Sequence, residues 1–191
     1  MDRRNVTASL ERLLDGAQAT FTARGFHLAS VHEICARANV GIGTFYSHFD
    51  SKNELLQHLV AERTVPLIQS ISPADLRDVA MLESRLRVAL DDPLWMGLWR
   101  AWLEGAAQDR DLAEAELTWR RTRVTEITAL IVAARGRERK GGSRLEASDA
   151  AWTVLASMRA FVLEDRADTP DVAALARVIH TLALGTTAKN A

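Results

Sequence analysis

With 191 residues, 48% hydrophobic and 26% charged, the chain can bury a substantial core, which excludes a peptide scaffold or a disordered tail. No apolar run approaches the roughly 20 residues of a membrane-spanning helix. A net charge of −1 excludes a protein coated in basic residues, and the first 60 residues balance six cations against six anions, so any nucleic-acid contact must rest on arrangement rather than bulk charge.

Helical periodicity runs almost throughout and no alternating strand pattern appears, so the sequence predicts an all-α fold. Leu10, Leu13, Leu14, Ala17 and Phe21 share one face of a first helix spanning about residues 6 to 24, which Gly25 closes in a left-handed cap. The opening MDRRNVTASLERL leads directly into this amphipathic pattern instead of a secretory signal. Ser30 and Glu33 match the S-x-x-E capping box, and so do Ser51 and Glu54. Between the two boxes, Val31, Ile34, Cys35 and Ala38 form the apolar face of a helix of about eight residues, which Asn39, Val40 and Gly41 interrupt. A second short helix, about 42 to 48, follows with Phe45 and Phe49 pointing inward. Two short helices joined by a tight turn and braced by longer ones make a helix-turn-helix arrangement. Because short helices are marginal alone, packing against the first helix must stabilise them.

Beyond Ser51 a longer helix begins, in which Pro66 predicts a kink or an early end. Ser72-Pro73, Asp92-Pro93 and Thr169-Pro170 each set a capping side chain before a proline at a first helical position. Leu94, Trp95, Leu98, Trp99, Trp102, Leu103 and Ala106 form a broad apolar stripe, followed by a long helix over about 112 to 135. The run RGRERKGGSR, 135 to 144, reads as a basic helix end entering a loop. Two last helices are expected over about 145 to 164 and 171 to 185, the latter with Val172, Leu175, Ala176, Ile179 and Leu182 on one face.

In a helix-turn-helix reading, Gly41, Ile42, Gly43 and Thr44 lie where base edges are met, the glycines permitting close backbone approach. Thr44 offers a hydroxyl and a methyl, and Tyr46 a phenolic O–H suited to phosphate. Lys52 brings a cation to a helix start, and the amide ends at Ser30 and Ser51 face phosphates with it. His48 is a further phosphate candidate.

The stretch VHEICARANVGIGTFYSHFDSKNELL resembles the DNA-binding signature of the TetR family of transcriptional regulators, over about residues 6 to 60. The resemblance implies that Thr44, Tyr46 and Lys52 sit on the DNA side and that Phe49 closes the core. It also implies an all-helical homodimer whose larger carboxy-terminal domain binds a small molecule that releases operator DNA. The chain departs from the family pattern at Ile42, where many members carry a basic or polar residue, and at Gly41, often a serine; both bear on base preference.

The expected organisation is therefore a DNA-binding domain over 1 to 50 and a helical ligand-binding and dimerisation domain over 51 to 191, connected by the helix from Ser51. Dimerisation is assigned to about 145 to 164 and 171 to 185, whose apolar faces can form a four-helix interface with a twofold mate. The effector is expected to be apolar or aromatic, taken up among Trp95, Trp99, Trp102, Trp119, Trp152, Met158 and Phe161, with Glu104 and Arg123 as sources of charge. GIG at 41 to 43 is no dinucleotide fingerprint, since Tyr46 stands where the third glycine is needed and no strand precedes it. His27, His32, His48, His58 and His180 lack metal-ligand spacing, and no nucleophile–base pair or phosphate loop stands out, so neither an enzyme nor a cofactor is expected. The lone Cys35 cannot form an internal disulfide and points to a reducing cytoplasm.

Overall fold

The computed structural model describes residues 3–136, 145–163 and 171–185, and these form nine α-helices and one 3₁₀ turn with no strand. The helices are α1 (Arg3–Leu28), α2 (Val31–Ala38), α3 (Ile42–His48), α4 (Lys52–Ser70), α5 (Val79–Leu90), α6 (Pro93–Gln108), α7 (Arg110–Arg135), α8 (Ala147–Leu163) and α9 (Val172–Leu184), with the 3₁₀ turn Asp75–Arg77 before α5. The all-α expectation holds.

Two compact units result: Met1–Val65 with Pro93–Leu117, and Pro66–Asp92 with Thr118–Ala191. This departs from a boundary at residue 50, because α6 packs on α1 and joins the first unit. The reason is steric. Gly97 on α6 meets Thr22 on α1 so closely that a Cβ there would lie 2.4 Å from Thr22 Oγ1, and at Gly105 one would lie 3.2 Å from the Phe26 ring. Removing two side chains lets the backbones approach, and Leu98 and Trp102 on α6 and Leu13, Leu14 and Phe21 on α1 are all buried.

Gly25 breaks α1, but at φ 72 and ψ 174 rather than in a left-handed helical cap. That region is open essentially to glycine alone. After it the chain makes one more turn, Phe26–Leu28, instead of leaving the helix outright. The first capping box forms as expected: Ser30 Oγ accepts the Glu33 N–H at 3.2 Å, and Glu33 Oε2 accepts the Ser30 N–H at 3.2 Å. At the second, Ser51 Oγ accepts the Glu54 N–H, yet Glu54 reaches one residue further back, to the Asp50 N–H at 2.6 Å. Pro66 does not end α4, which continues to Ser70.

In the second unit, α9 packs on α5 and α8. Ser72-Pro73 opens only the short 3₁₀ turn, where Asp75 accepts the Ser72 N–H at 2.7 Å and hydroxyl at 2.6 Å; these two bonds hold its carboxyl below the usual range. Arg77 donates to the Ala134 and Ala133 carbonyls at the end of α7. Arg135 does the same for Ala183 and Leu182 at the end of α9, so each helix terminus has its orphan carbonyls met by an arginine. A void of about 30 Å³ remains among wholly apolar side chains, including Leu76, Leu86, Ile127, Ile131, Met158 and Ile179. On α9, Val172, Leu175, Ala176 and Ile179 are buried as expected while Leu182 is half-buried, its place taken by Ala183. Thr169-Pro170 and most of the 135–144 run lie outside the described residues. Among the described residues no helix is long and apolar enough to cross a membrane.

Gly97→Ala should therefore destabilise the chain by about 1–3 kcal/mol, since the added methyl meets a β-branched side chain that cannot swing away. Urea unfolding followed by far-ultraviolet circular dichroism checks it; an unchanged midpoint would mean that the α1–α6 contact is looser than the distance implies.

Candidate nucleic-acid interface

The site is built on α1. Gly16 lets α2 lie directly against it, since a Cβ there would stand 3.0 Å from both the Ala38 nitrogen and its Cβ. Behind α2, Ile34, Cys35 and Ala38 are buried, and burial pushes the Cys35 thiol up from its ordinary range. Asn39 then turns the chain at φ 52, ψ 50, a left-handed geometry that asparagine tolerates. From that turn α3 starts.

α3 has two different sides. Phe45 is fully buried and Phe49 nearly so, with ring centroids 6.0 Å apart. On the outer side Tyr46 is 56% and Ile42 40% exposed. Gly41 and Gly43 are exposed too, and no atom lies within 4 Å of where their Cβ atoms would be. Nothing inside the chain requires glycine at these positions. Thr44 is half-buried, and its carbonyl accepts the Ser47 hydroxyl at 2.7 Å. Five of the residues singled out in the sequence, Gly41, Ile42, Gly43, Thr44 and Tyr46, thus gather on one seven-residue helix and its entry.

The other three are engaged within the chain. His48 Nε2 is hydrogen bonded to Ser9 Oγ at 3.0 Å, fastening the end of α3 to α1. Ser30 gives its hydroxyl to the capping box, donating to Glu33 Oε2 at 3.1 Å. Arg24 completes this corner by donating to Glu33 at 2.6 Å, and that bond, with those from Ser30, holds the Glu33 carboxyl below the usual range.

Lys52 is the largest departure from expectation. Its ammonium donates to the Phe26 carbonyl at 2.7 Å and the Ala29 carbonyl at 2.8 Å, and sits 4.3 Å from the centre of the Phe26 ring. Burial pulls its pKa down from the usual lysine range, while Glu104 acts in the opposite sense. The same short segment is held from its other polar side: Glu104 accepts the Phe26 N–H at 3.0 Å and the His27 N–H at 3.4 Å. Asn53, next on α4, donates to Asp109 at 2.9 Å, and Asp109 accepts the Leu112 N–H at the start of α7. Glu104 and Asp109 are residues whose role sequence reading missed, because their partners are remote in the chain.

The effector candidates are divided between the two units. Trp95, Trp99 and Trp102 are buried in the first unit, where the first two pack edge to face at 5.7 Å. Trp119 and Phe161 are half-buried and Trp152 is 39% exposed in the second unit. Only Met158 of the seven lines the apolar void. Among the described residues no three metal-ligating side chains cluster.

Residues 13–59 match the family model described as "Bacterial regulatory proteins, tetR family". Over 51 residues the chain is 39% identical to the HTH-type transcriptional regulator UidR of Escherichia coli strain K12, covering 27% of this chain and 26% of that protein. The chain therefore matches only about a quarter of that relative's length. Its fold is similar to that of Salmonella enterica GusR, with a TM-score of 0.73 at 20% identity over 93% of this chain and 96% of that one. It is similar also to SmeT in a complex with triclosan, with a TM-score of 0.66 at 23% identity over 93% and 88%.

Because Lys52 and Glu104 grip one segment from opposite sides, Lys52→Ala and Glu104→Ala should each lower unfolding stability by roughly 1–3 kcal/mol. Their effects should also fail to add, by about 0.5 kcal/mol or more. A double-mutant cycle in urea measures this, and strictly additive losses would show that the two contacts act separately.

Proposed function

We propose that this chain, whose residues 13–59 match the model of the tetR family of bacterial regulatory proteins, is a homodimeric transcriptional repressor. It acts in the cytoplasm, binds a palindromic operator through α3, and leaves it when a small molecule enters the carboxy-terminal helical domain. The observation that carries the reading is the two-sidedness of α3: an outer side of Gly41, Ile42, Gly43 and Tyr46 that contributes little to the fold, over a Phe45 that is wholly buried.

Its chemistry suits a major groove. The two glycines admit a base edge or sugar close to the backbone, Ile42 offers an apolar contact to a thymine methyl, and the Tyr46 phenol can donate to a phosphate oxygen. Neighbouring polar groups hold the frame instead: His48 and Lys52 brace α3 and α4, so their part in binding is to position the helix. For the dimer, α8 and α9 carry exposed apolar residues in Trp152, Leu163 and Val178, which supports packing against a second copy. Release by a ligand requires that the ligand bind the two conformations with different affinity.

Selection of duplexes from a randomised pool by the purified protein, with its mass in solution, tests the reading. A palindrome recovered by a dimer is the expected result. Tyr46→Phe should weaken binding about five- to tenfold on every sequence, leaving the salt slope unchanged because a phenol releases no counterion. Ile42→Ala should alter which bases are enriched and spare non-specific binding. A pool that returns unenriched from a monomer would favour a helical interaction module and overturn the proposal.

A further inference from the structure

Arg123 on α7 is only 7% exposed, yet its guanidinium is poorly satisfied. Nη2 donates to Glu126 Oε1 at 2.9 Å, and the group lies 5.8 Å from the centre of the Trp119 ring. Nε, with one hydrogen, and Nη1, with two, are buried without a hydrogen-bond partner. Glu126 Oε2 and Thr128 Oγ1, within five residues on the same helix, are buried and unpartnered as well. Native interiors rarely leave such groups unmet, and arginine cannot escape the cost by losing its proton.

Folding alone gives no reason for this choice. One turn further along α7, Ile127 and then Ile131 occupy the buried face, and apolar residues in place of Arg123 and Glu126 together would continue it at lower cost. The contrast with Arg77 and Arg135 is direct, since those two arginines spend their donors on helix-terminal carbonyls.

We propose that Arg123 anchors the carboxylate of an organic monoanion, the small molecule to which the regulator responds. The assignment rests on the ligand-released reading above and adds the chemical class of the effector. A charged donor in a low-dielectric interior favours a charged acceptor over a neutral one. Glu126 already sets one negative charge against Arg123, so a phosphate dianion would be repelled more strongly than a monoanion, for which the Nε and Nη1 protons remain. The body of the molecule is apolar, because Ile127, one turn from Arg123, opens onto the void whose walls carry no polar side chain, and Met158 there is flexible enough to yield to it.

The test uses the full-length protein and Arg123→Met, with operator from the duplex selection. Its probes are paired carboxylic acids and primary amides sharing one apolar body: octanoate, phenylacetate and cinnamate with octanamide, phenylacetamide and cinnamamide. Melting temperature and operator release are read for each. The expected result is that at least one acid binds the natural protein roughly tenfold or more tightly than its amide, and that this preference vanishes in Arg123→Met. A preference for the acid that survives in Arg123→Met would place the carboxylate elsewhere and overturn the assignment. Amides that release operator as well as acids do, from both proteins, would overturn the anion site while leaving a ligand-released repressor intact. If no probe binds or releases operator although the operator is held, the carboxylate assignment falls together with the ligand-released reading.

Discussion

The segment Phe26–Ala29 is held by opposite charges acting on opposite ends of its peptide groups. Glu104 takes the N–H groups of Phe26 and His27, and Lys52 gives its protons to the carbonyls of Phe26 and Ala29. A chain leaving a helix has unmet amides and carbonyls, and here they are met by α6 on one side and α4 on the other. Gly25 is what allows it. Its backbone turns at a positive φ, and its missing Cβ leaves room for the Glu104 carboxylate, which would lie 2.6 Å from such an atom. Since Asn53 ties the next residue of α4 to Asp109 at the head of α7, four helices are referred to this one four-residue stretch.

That arrangement explains how a helix of seven residues can present a usable surface. α3 is too short to be stable alone. Phe45 and Phe49 anchor its inner side, and the bond between His48 and Ser9 fastens its end. Its outer side is thereby released from any part in folding, so Gly41, Ile42, Gly43 and Tyr46 answer only to what they touch. The six cations and six anions of the first 60 residues make the same division. Arg24 and Lys52 are committed to internal partners, and Arg37 donates to the Ala19 carbonyl, so the proposed DNA contact rests on the outer side of α3 rather than on a basic coat.

The second unit treats its charges differently. Arg77 and Arg135 close helix ends, where carbonyls wait for donors and solvent is near. Arg123 stands in the interior beside Glu126, with donors left over. The same residue type thus serves as a cap where the backbone needs protons and as a recognition group where it does not.

Much of the first unit was legible in the sequence because the interactions that define it are local. Helical periods, the box at Ser30 and Glu33, the turn at Asn39 and the break at Gly25 all depend on residues three or four apart, and propensity and pattern report such terms directly. The direction of a long side chain is another matter. Lys52 reads as a phosphate contact by its place at a helix start, yet it finds carbonyls 26 and 23 residues away, and Glu104 finds amides 78 and 77 residues away. Likewise the tryptophan stripe announced burial, but not that α6 would join the first unit; two glycines meeting α1 determined that. The sequence by itself determined an all-helical chain with a helix-turn-helix at its start. Only the tertiary structure decided which polar groups face outward, because packing brings remote partners together and each buried donor or acceptor must then be met.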